Sequence, residues 1–217
     1  MSIRGVEEGR VIMRKDELEL MNKQYDELFL KYGDTEKSVG WNKPKQSQRF
    51  QIIFNMIYKA LRTSDREDLN VLDLGSGLGH FYEEMVRREH KWNYTGIDAN
   101  RNFISECKKK FPEAQFTEAL INSEAVCEAD VIIASGLFNR KFENIEGFIE
   151  EIFTIAMEKC KLILCFNFLH IGAIKQYEHN YYTSISMLEC LIDRSKIRGW
   201  EIDGLSLPGE FTLGCYK

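Results

Sequence analysis

Three glycines at alternate positions, Gly75, Gly77 and Gly79, form the segment with the clearest potential to bind a ligand. Glycine lets a backbone turn tightly and approach a ligand that a Cβ atom would exclude. Asp73 precedes the first glycine by two positions, and Ser76 lies between the first two glycines. Because an apolar run leads into this segment, we predict a ligand-binding turn at the carboxyl end of a strand.

The spacing of these glycines separates the turn from two common phosphate-binding loops. A dinucleotide-binding turn needs its third glycine three positions after the second, and His80 occupies that position here. No Gly-Lys-Ser/Thr sequence follows to make a P-loop. A nicotinamide oxidoreductase and a P-loop nucleotide hydrolase are therefore disfavoured.

A second acidic residue, Asp98, ends the next predicted strand, nineteen residues after Gly79. A carboxylate at this place can accept hydrogen bonds from both hydroxyls of a ribose. Such charge-assisted bonds contribute about 1.5–3 kcal/mol each, and a 2′-phosphate would be repelled. Asp98 therefore fits an adenosine ligand, although it does not distinguish NAD from S-adenosylmethionine.

The elements that must position these residues alternate between strand and helix. Apolar periodicity predicts an N-terminal helix over residues 16–32, a polar loop, and a second helix from Ser47 to about residue 62. Strands and helices then alternate, which predicts a mostly parallel sheet with helices on both faces. The last two strands have no helix between them, so Pro208 and Gly209 are predicted to turn an antiparallel hairpin. We divide this compact unit into a helical cap or lid, residues 1–62, and an α/β domain, residues 63–217.

The order Asp73-x-Gly75-x-Gly77-x-Gly79, followed by Asp98 and a terminal hairpin, resembles the class I S-adenosylmethionine-dependent methyltransferases. The resemblance extends from about residue 69 to the C-terminus. It implies a Rossmann-like, doubly wound, seven-stranded sheet that is mostly parallel with an antiparallel C-terminal strand. Segments 134–139 and 165–169 are similar to a small bacterial branch of the family, whose members act on small metabolites or surface-sugar precursors.

The resemblance also implies the cofactor, S-adenosylmethionine, its product S-adenosylhomocysteine, and roles for cofactor-binding residues. The glycine turn with Ser76 would hold the methionine part, and Asp98 with Ala99 the ribose. The family often binds the adenine amino group with an acid after the third strand, where Glu118 is the candidate here. A backbone amide near Ala119 or Leu120 is the alternative, and the choice stays open.

Two residues before the first strand of the α/β domain are predicted to lie over the cofactor. Arg49 would pair with the cofactor carboxylate, and Trp41 would lie against the sulfonium by cation–π attraction. The alternatives are that Arg49 is a surface helix charge and that Trp41 packs in a hinge. Ser135, at the end of the fourth strand, is a further predicted cofactor contact.

Methyl transfer to a hydroxyl or an amine requires a base, and His170 is the predicted general base. The alternative is that His170 is a capping or half-buried structural residue. Four further residues are predicted to bind the acceptor. Asn139 and Asn167 follow the fourth and fifth strands, and Tyr177 and Tyr181 precede the last predicted helix. For both tyrosines, packing is the alternative.

Composition limits the classes of partner and the location. The chain has 217 residues and a formal net charge of -5, so it lacks the basic field of a general nucleic-acid binder. No apolar run is long enough to span a bilayer, and no secretory or transit segment is apparent at the start, so a cytoplasmic location is expected. Six scattered cysteines without metal-ligand spacing predict reduced thiols and no metal site. The oligomeric state is not indicated.

The sequence therefore predicts an enzyme that transfers a methyl group from S-adenosylmethionine to a small molecule, at oxygen. One alternative is an N-methyltransferase. Another is a module that binds S-adenosylmethionine or another adenosine ligand without turnover. An aromatic-rich acceptor pocket favours the enzyme.

Overall fold

A seven-stranded sheet lies at the centre of the computed structural model, which describes residues 14–62, 68–194 and 197–217. The strands are β1 (Asn70–Leu74), β2 (Asn93–Asp98), β3 (Gln115–Glu118), β4 (Ala129–Ser135), β5 (Cys160–Leu169), β6 (Gly199–Asp203) and β7 (Glu210–Tyr216). The helices are α1 (Lys15–Tyr32), α2 (Lys43–Leu61), α3 (His80–Arg87), α4 (Arg101–Lys110), α5 (Ile145–Lys159) and α6 (Ile185–Arg194). Short 3₁₀ turns occupy Glu36–Val39 and Leu137–Asn139.

The strands are ordered β3-β2-β1-β4-β5-β7-β6 across the sheet. Strands β1 to β5 run parallel, and β7 is antiparallel to its neighbours β5 and β6. The predicted fold class is confirmed, and the predicted hairpin turn contains Gly209, whose φ is 82°. The strand order reverses between β1 and β4, so a ligand crevice is expected beyond their carboxyl ends.

Strand β4 shows how the sheet divides the core between its two faces. Ile132 and Ala134 point into the apolar cluster formed with α5 and α6, whereas Val131 and Ile133 point into the cluster formed with α2, α3 and α4. Alternate residues of a strand face opposite sides, so a strand covered on both sides is apolar throughout. This packing on both faces fixes the position of the carboxyl end of β4, which borders the crevice.

Helix α2 begins earlier than predicted and belongs to the core. Ser47 is not its N-cap: Asn42 has that position, and its side-chain oxygen accepts a hydrogen bond from the Lys45 backbone N–H at 3.1 Å. Pro44 is accommodated in the first turn, where a helix needs no N–H donor. The Phe54 ring stacks on Phe81 of α3 with 4.9 Å between ring centroids. Residues 43–61 therefore pack into the same apolar core as the strands.

Helix α1, in contrast, lies over the crevice and has no buried residue. On the β2 side, the Asn22 side-chain amide donates to the Ala99 carbonyl oxygen at 3.3 Å. On the β4 side, the Glu143 backbone N–H donates to the Glu17 carboxylate at 2.9 Å. The helix is thus attached to both sides of the crevice by polar contacts. Residues 1–13 of the predicted cap, and residues 63–67 at its predicted boundary, lie outside the described residues.

None of the described helices has both the length and the hydropathy that a membrane crossing requires. Within the same residues, no group of three or more His, Cys, Asp or Glu side chains is placed to hold a metal ion.

Candidate active site

The glycine turn leaves β1 with positive φ angles at all three glycines, 76° at Gly75, 55° at Gly77 and 72° at Gly79. A residue with a Cβ atom is sterically strained at such φ angles. An added Cβ atom at Gly77 would also lie 3.0 Å from Cγ1 of Val39. The Gly75 backbone N–H donates to the Ile97 carbonyl oxygen at 2.8 Å, which ties the turn to β2. The turn is therefore a fixed cradle, as the glycine spacing predicts.

Asp98 lies at the end of β2 with its carboxylate held by two backbone donors. One oxygen accepts from the Gly77 N–H at 2.8 Å, and the other accepts from the Asn100 N–H at 2.8 Å. Burial raises the pKa of Asp98, and these two hydrogen bonds act in the opposite direction. A carboxylate has about four acceptor positions, so both oxygens can accept a further hydrogen bond.

A cavity opens between this edge of the sheet and α1, and it has about 1080 Å³ of empty space, part of it open to solvent. The structure brings seven predicted cofactor residues into its lining: Trp41, Gly75, Gly77, Asp98, Ala99, Leu120 and Ser135. A concave, mainly apolar site with a few polar groups is typical of a small-molecule site. This cavity is the candidate active site.

A smaller recess adjoins the cavity at the glycine turn, and three buried polar side-chain atoms belong to residues that line it. The atoms are Oδ1 of Asp73, Oγ of Ser76 and Oγ of Ser135, and none has a hydrogen-bond partner among the described residues. The other Asp73 oxygen accepts from the Tyr94 hydroxyl at 2.7 Å. Burial raises the pKa of Asp73 to about 7. Because unpaired buried polar groups are costly, these three atoms indicate that the recess receives a polar ligand group.

Of the three residues at or after the end of β3 that were predicted to bind adenine, Glu118 and Ala119 are not placed to do so. The Ala119 backbone N–H already donates to the Asp98 carbonyl oxygen at 3.1 Å, so it is not free to bind a base. The Glu118 side chain is half exposed and lies 3.9 Å from Arg101, outside the cavity lining. Leu120 does line the cavity, together with Ile121 and Asn122, which the sequence analysis did not select.

Arg49 is buried, so the alternative of a surface charge is wrong. The guanidinium donates to one oxygen of Glu210 from Nη2 at 2.6 Å and from Nε at 3.1 Å. Burial lowers the pKa of Arg49, and the Glu210 carboxylate acts against that change. The guanidinium carbon lies 3.7 Å from the centroid of the Trp41 ring. Arg49 is absent from the lining of both the cavity and the recess, so it supports Trp41 rather than contacting the site directly.

The two residues predicted from the end of β5 are not in the cavity. Nδ1 of His170 accepts from the Gly172 backbone N–H at 3.2 Å, which is the capping alternative, and His170 does not line the cavity. Asn167 is fully buried and donates to the Phe211 carbonyl oxygen at 3.2 Å. Strand β5 extends to Leu169 and pairs with β7 up to that residue, so Asn167 lies within the sheet beside Thr212 and not beyond the strand end.

The remaining predicted acceptor residues lie around the site rather than together. Tyr177 lines an exposed groove next to the cavity, which shares Trp41 with it. The Tyr181 hydroxyl donates to Glu146 at 2.9 Å, which is the packing alternative. Asn139 is 6% exposed, and neither atom of its amide has a partner among the described residues. Asn139 does not line the cavity, and neither do Tyr177 and Tyr181.

Six residues that no sequence pattern indicated as site residues also line the cavity. These are Leu18, Met21, Asn22 and Tyr25 of α1, together with Arg140 and Phe148. Three of the four α1 residues belong to the apolar stripe that predicts the helix, and such a stripe is normally assigned to a core. That no residue of α1 is buried shows that the stripe covers a cavity instead.

The sequence of the chain matches a family model. The model is described as "Methyltransferase domain", and it matches residues 46–200. A curated relative, "Putative methyltransferase Rv1506c" of Mycobacterium tuberculosis (strain ATCC 25618 / H37Rv), is 28% identical over 86 residues. That alignment covers 37% of this chain and 48% of the relative, so the match spans about half of the relative's length.

Solved structures share the fold at low sequence identity. The magnesium protoporphyrin IX methyltransferase ChlM from Synechocystis PCC 6803 with bound SAH has a TM-score of 0.66 and 12% identity, covering 93% of this chain and 100% of that one. The plantazolicin methyltransferase BpumL has a TM-score of 0.61 and 14% identity, covering 94% and 99%. Both similarities concern the fold.

Proposed function

This chain belongs to the methyltransferase domain family, and from that premise we propose that it transfers a methyl group from S-adenosylmethionine to an oxygen atom of a small molecule. One observation carries the proposal. The carboxylate of Asp98 accepts from Gly77 of the glycine turn, and Oδ1 of Asp73, which has no partner among the described residues, lies in the recess at the same turn. A nucleoside that carries an amino acid needs these two acceptors, one for its ribose and one for its ammonium group.

The residues present fit this cofactor. Both Asp98 oxygens would accept from the ribose hydroxyls, while their bonds to Gly77 and Asn100 hold the carboxylate in place. Oδ1 of Asp73 would accept from the α-ammonium group. The Ser76 and Ser135 hydroxyls, both unpaired among the described residues, would donate to the α-carboxylate. When bound, S-adenosylmethionine supplies a methyl group on a positively charged sulfur.

The rest of the site would position the acceptor and exclude water. Helix α1 covers the cavity, so its apolar side chains reduce the access of water to the bound reactants. Trp41 lines the cavity, the recess and the groove, and Arg49 holds its ring in one orientation. Holding the acceptor oxygen, the methyl carbon and the sulfur in line supplies several kcal/mol of the rate enhancement of such displacements.

Calorimetric titration with S-adenosylmethionine, S-adenosylhomocysteine and NAD, side by side, tests the cofactor. We expect micromolar binding of the first two and none of NAD. Isotopically labelled methyl transfer to a small-molecule extract then tests turnover. Preference for NAD, or binding of none of the three, would contradict the proposal. Binding without transfer would indicate the non-catalytic module, and a label on nitrogen would indicate an N-methyltransferase.

The affinity for S-adenosylmethionine is expected to fall as the pH is lowered from about 7 to about 5. With a pKa of about 7, Asp73 becomes protonated in that interval and loses its attraction for the ammonium group. The affinity should decrease by up to about tenfold for each pH unit. Calorimetry at several pH values measures this dependence. Asp73→Asn should reduce it and leave the contribution of Asp98, whose pKa burial also raises.

The raised pKa of Asp73 should also make the free energy of unfolding depend on pH. The pKa of Asp73 is higher in the folded state than the ordinary value, so the folded protein binds more protons. The free energy of unfolding should therefore fall as the pH rises from about 4 to about 7. Tyr94→Phe is the matched control, because loss of its hydrogen bond should move both pH dependences to higher pH. Wild-type pH profiles in Tyr94→Phe would speak against Asp73 as their source.

Replacement of His170 by alanine is expected to leave the rate of methyl transfer close to that of the wild type. The His170 ring caps a turn outside the cavity, so its removal takes no base from the site. Loss of a general base would lower the rate by about 100- to 10,000-fold. Initial rates with labelled S-adenosylmethionine distinguish these results, and unchanged cofactor affinity serves as the folding control. A rate loss of that size would restore His170 as the base.

A further inference from the structure

Arg140 lies in the cavity wall and has no acidic partner among residues 14–62, 68–194 and 197–217. It follows the 3₁₀ turn after β4, and its Nε lies 3.4 Å from the Tyr25 hydroxyl. Among the described residues, no carboxylate oxygen lies within 4.0 Å of a guanidinium nitrogen of Arg140, which is the limit for an ion pair. Glu143, the nearest acid along the chain, pairs with Arg14 at 2.7 Å. The guanidinium is therefore available to an anion that enters the cavity.

Arg140 shares the cavity with apolar side chains, which makes pairing between its guanidinium and an anion more favourable than in water. Leu18, Met21, Leu137 and Phe148 line the same cavity. A charge that is partly withdrawn from water costs free energy unless it is paired. A carboxylate fits a guanidinium best because it can accept two parallel hydrogen bonds from it. The surroundings therefore favour a ligand that has an apolar body and a carboxylate.

The cavity also offers no free base to a neutral acceptor. The titratable side chains that line it, within the described part of the chain, are those of Tyr25, Asp98 and Arg140. Asp98 already accepts hydrogen bonds on both oxygens and would hold the ribose. A hydroxyl or amine acceptor would have to lose its proton here without a positioned base. A carboxylate has no proton to lose at neutral pH.

We infer that the acceptor is an apolar carboxylic acid, bound through Arg140 and methylated on a carboxylate oxygen. This inference rests on the proposed function. The carboxylate oxygen forms a bond to the methyl carbon while the bond from that carbon to sulfur breaks. The electron pair of the broken bond stays on sulfur, which becomes neutral, and the product is a methyl ester. No proton is transferred.

The binding test uses protein saturated with S-adenosylhomocysteine, so that no reaction occurs. The probes are two matched pairs, 3-phenylpropionate with 3-phenylpropanamide and octanoate with octanamide, titrated by ligand-observed NMR. We expect each acid to bind at least about tenfold more tightly than its amide, as one charge-assisted bond allows. Arg140→Gln should remove this preference and keep the affinity for S-adenosylhomocysteine.

Arg87→Gln is the matched control, because it removes the same charge from an exposed site on α3. It should keep the preference for acids. Equal binding of acid and amide, no binding of either acid, or a preference that survives Arg140→Gln would overturn the inference while the cofactor assignment stands. If S-adenosylhomocysteine itself fails to bind, the proposed function is wrong. In the extract assay, the label should be released by mild alkali, as from an ester, and an alkali-stable label would also overturn the inference.

Discussion

Replacement of Glu210 by alanine is expected to lower the free energy of unfolding by about 3–5 kcal/mol, because it leaves a buried guanidinium without its partner. Arg49 is 0% exposed and Glu210 is 3% exposed, and their closest atoms are 2.6 Å apart. The Nη1 atom of Arg49 already has no hydrogen-bond partner among the described residues. Without Glu210, the remaining donors of Arg49 would lose their acceptor as well. Urea denaturation followed by circular dichroism measures the change.

Two further variants identify the cause of that loss. Replacing both residues by apolar ones, Arg49→Met with Glu210→Leu, should recover much of the stability, since no unpaired charge then remains. Glu128→Ala breaks a 2.8 Å pair with Lys161, in which both side chains are exposed, and should change little. If Glu210→Ala unfolded at the wild-type urea concentration, the buried pair would not contribute to the stability of the fold. Wild-type stability in Glu128→Ala supports burial, rather than charge alone, as the cause.

Replacement of Asp98 by alanine is expected to weaken S-adenosylmethionine binding by about 2 kcal/mol or more, which is about 30-fold. The ribose hydroxyls would lose their acceptors. The Gly77 and Asn100 backbone N–H groups would lose theirs too, so the glycine turn would be less well held. Binding of S-adenosylhomocysteine should weaken by the same factor, because it has the same ribose. Calorimetry on the folded variant measures both affinities.

Glu118→Ala is the matched control for Asp98→Ala. Glu118 ends the neighbouring strand β3, pairs in register with Asp98, and points outside the cavity lining. Its removal should leave the affinity unchanged. Wild-type affinity in Asp98→Ala would exclude the ribose assignment, and a loss in Glu118→Ala would return the adenine contact to that acid.

The sequence indicated the order of elements and the cradle because both depend on local patterns. Glycines at alternate positions after an apolar run require the turn that Gly75 and Gly77 make, whatever surrounds it. The end of a parallel strand defines where Asp98 must lie. The absence of a helix between the last two predicted strands was enough for the antiparallel hairpin. The resemblance to the family rested on these same local features.

The roles of Arg49, Asn167 and His170 could not be derived in that way. Each depends on which chain segment packs on it. The side-chain partners of Arg49 and Asn167 are distant in the sequence, and so is Gly209, whose carbonyl oxygen accepts from the His170 backbone N–H at 2.9 Å. Arg49 is paired with Glu210 across 161 positions, and Asn167 donates to Phe211 across 44 positions. From the sequence alone, a polar residue near the end of a predicted strand is expected to face the crevice. Whether a neighbouring strand pairs with it instead is known only from the tertiary structure.

The sequence by itself determined the sheet, the glycine turn and the acid that follows it, since backbone geometry and side-chain alternation act over a few residues. Only the tertiary structure decided that α1 covers a cavity and that Arg140 lines it with no acidic partner in the described part of the chain. An apolar stripe has the same periodicity over a cavity as over a core, and an arginine has the same charge with or without a partner. The difference lies in what occupies the space beside them, which is set by packing between distant segments.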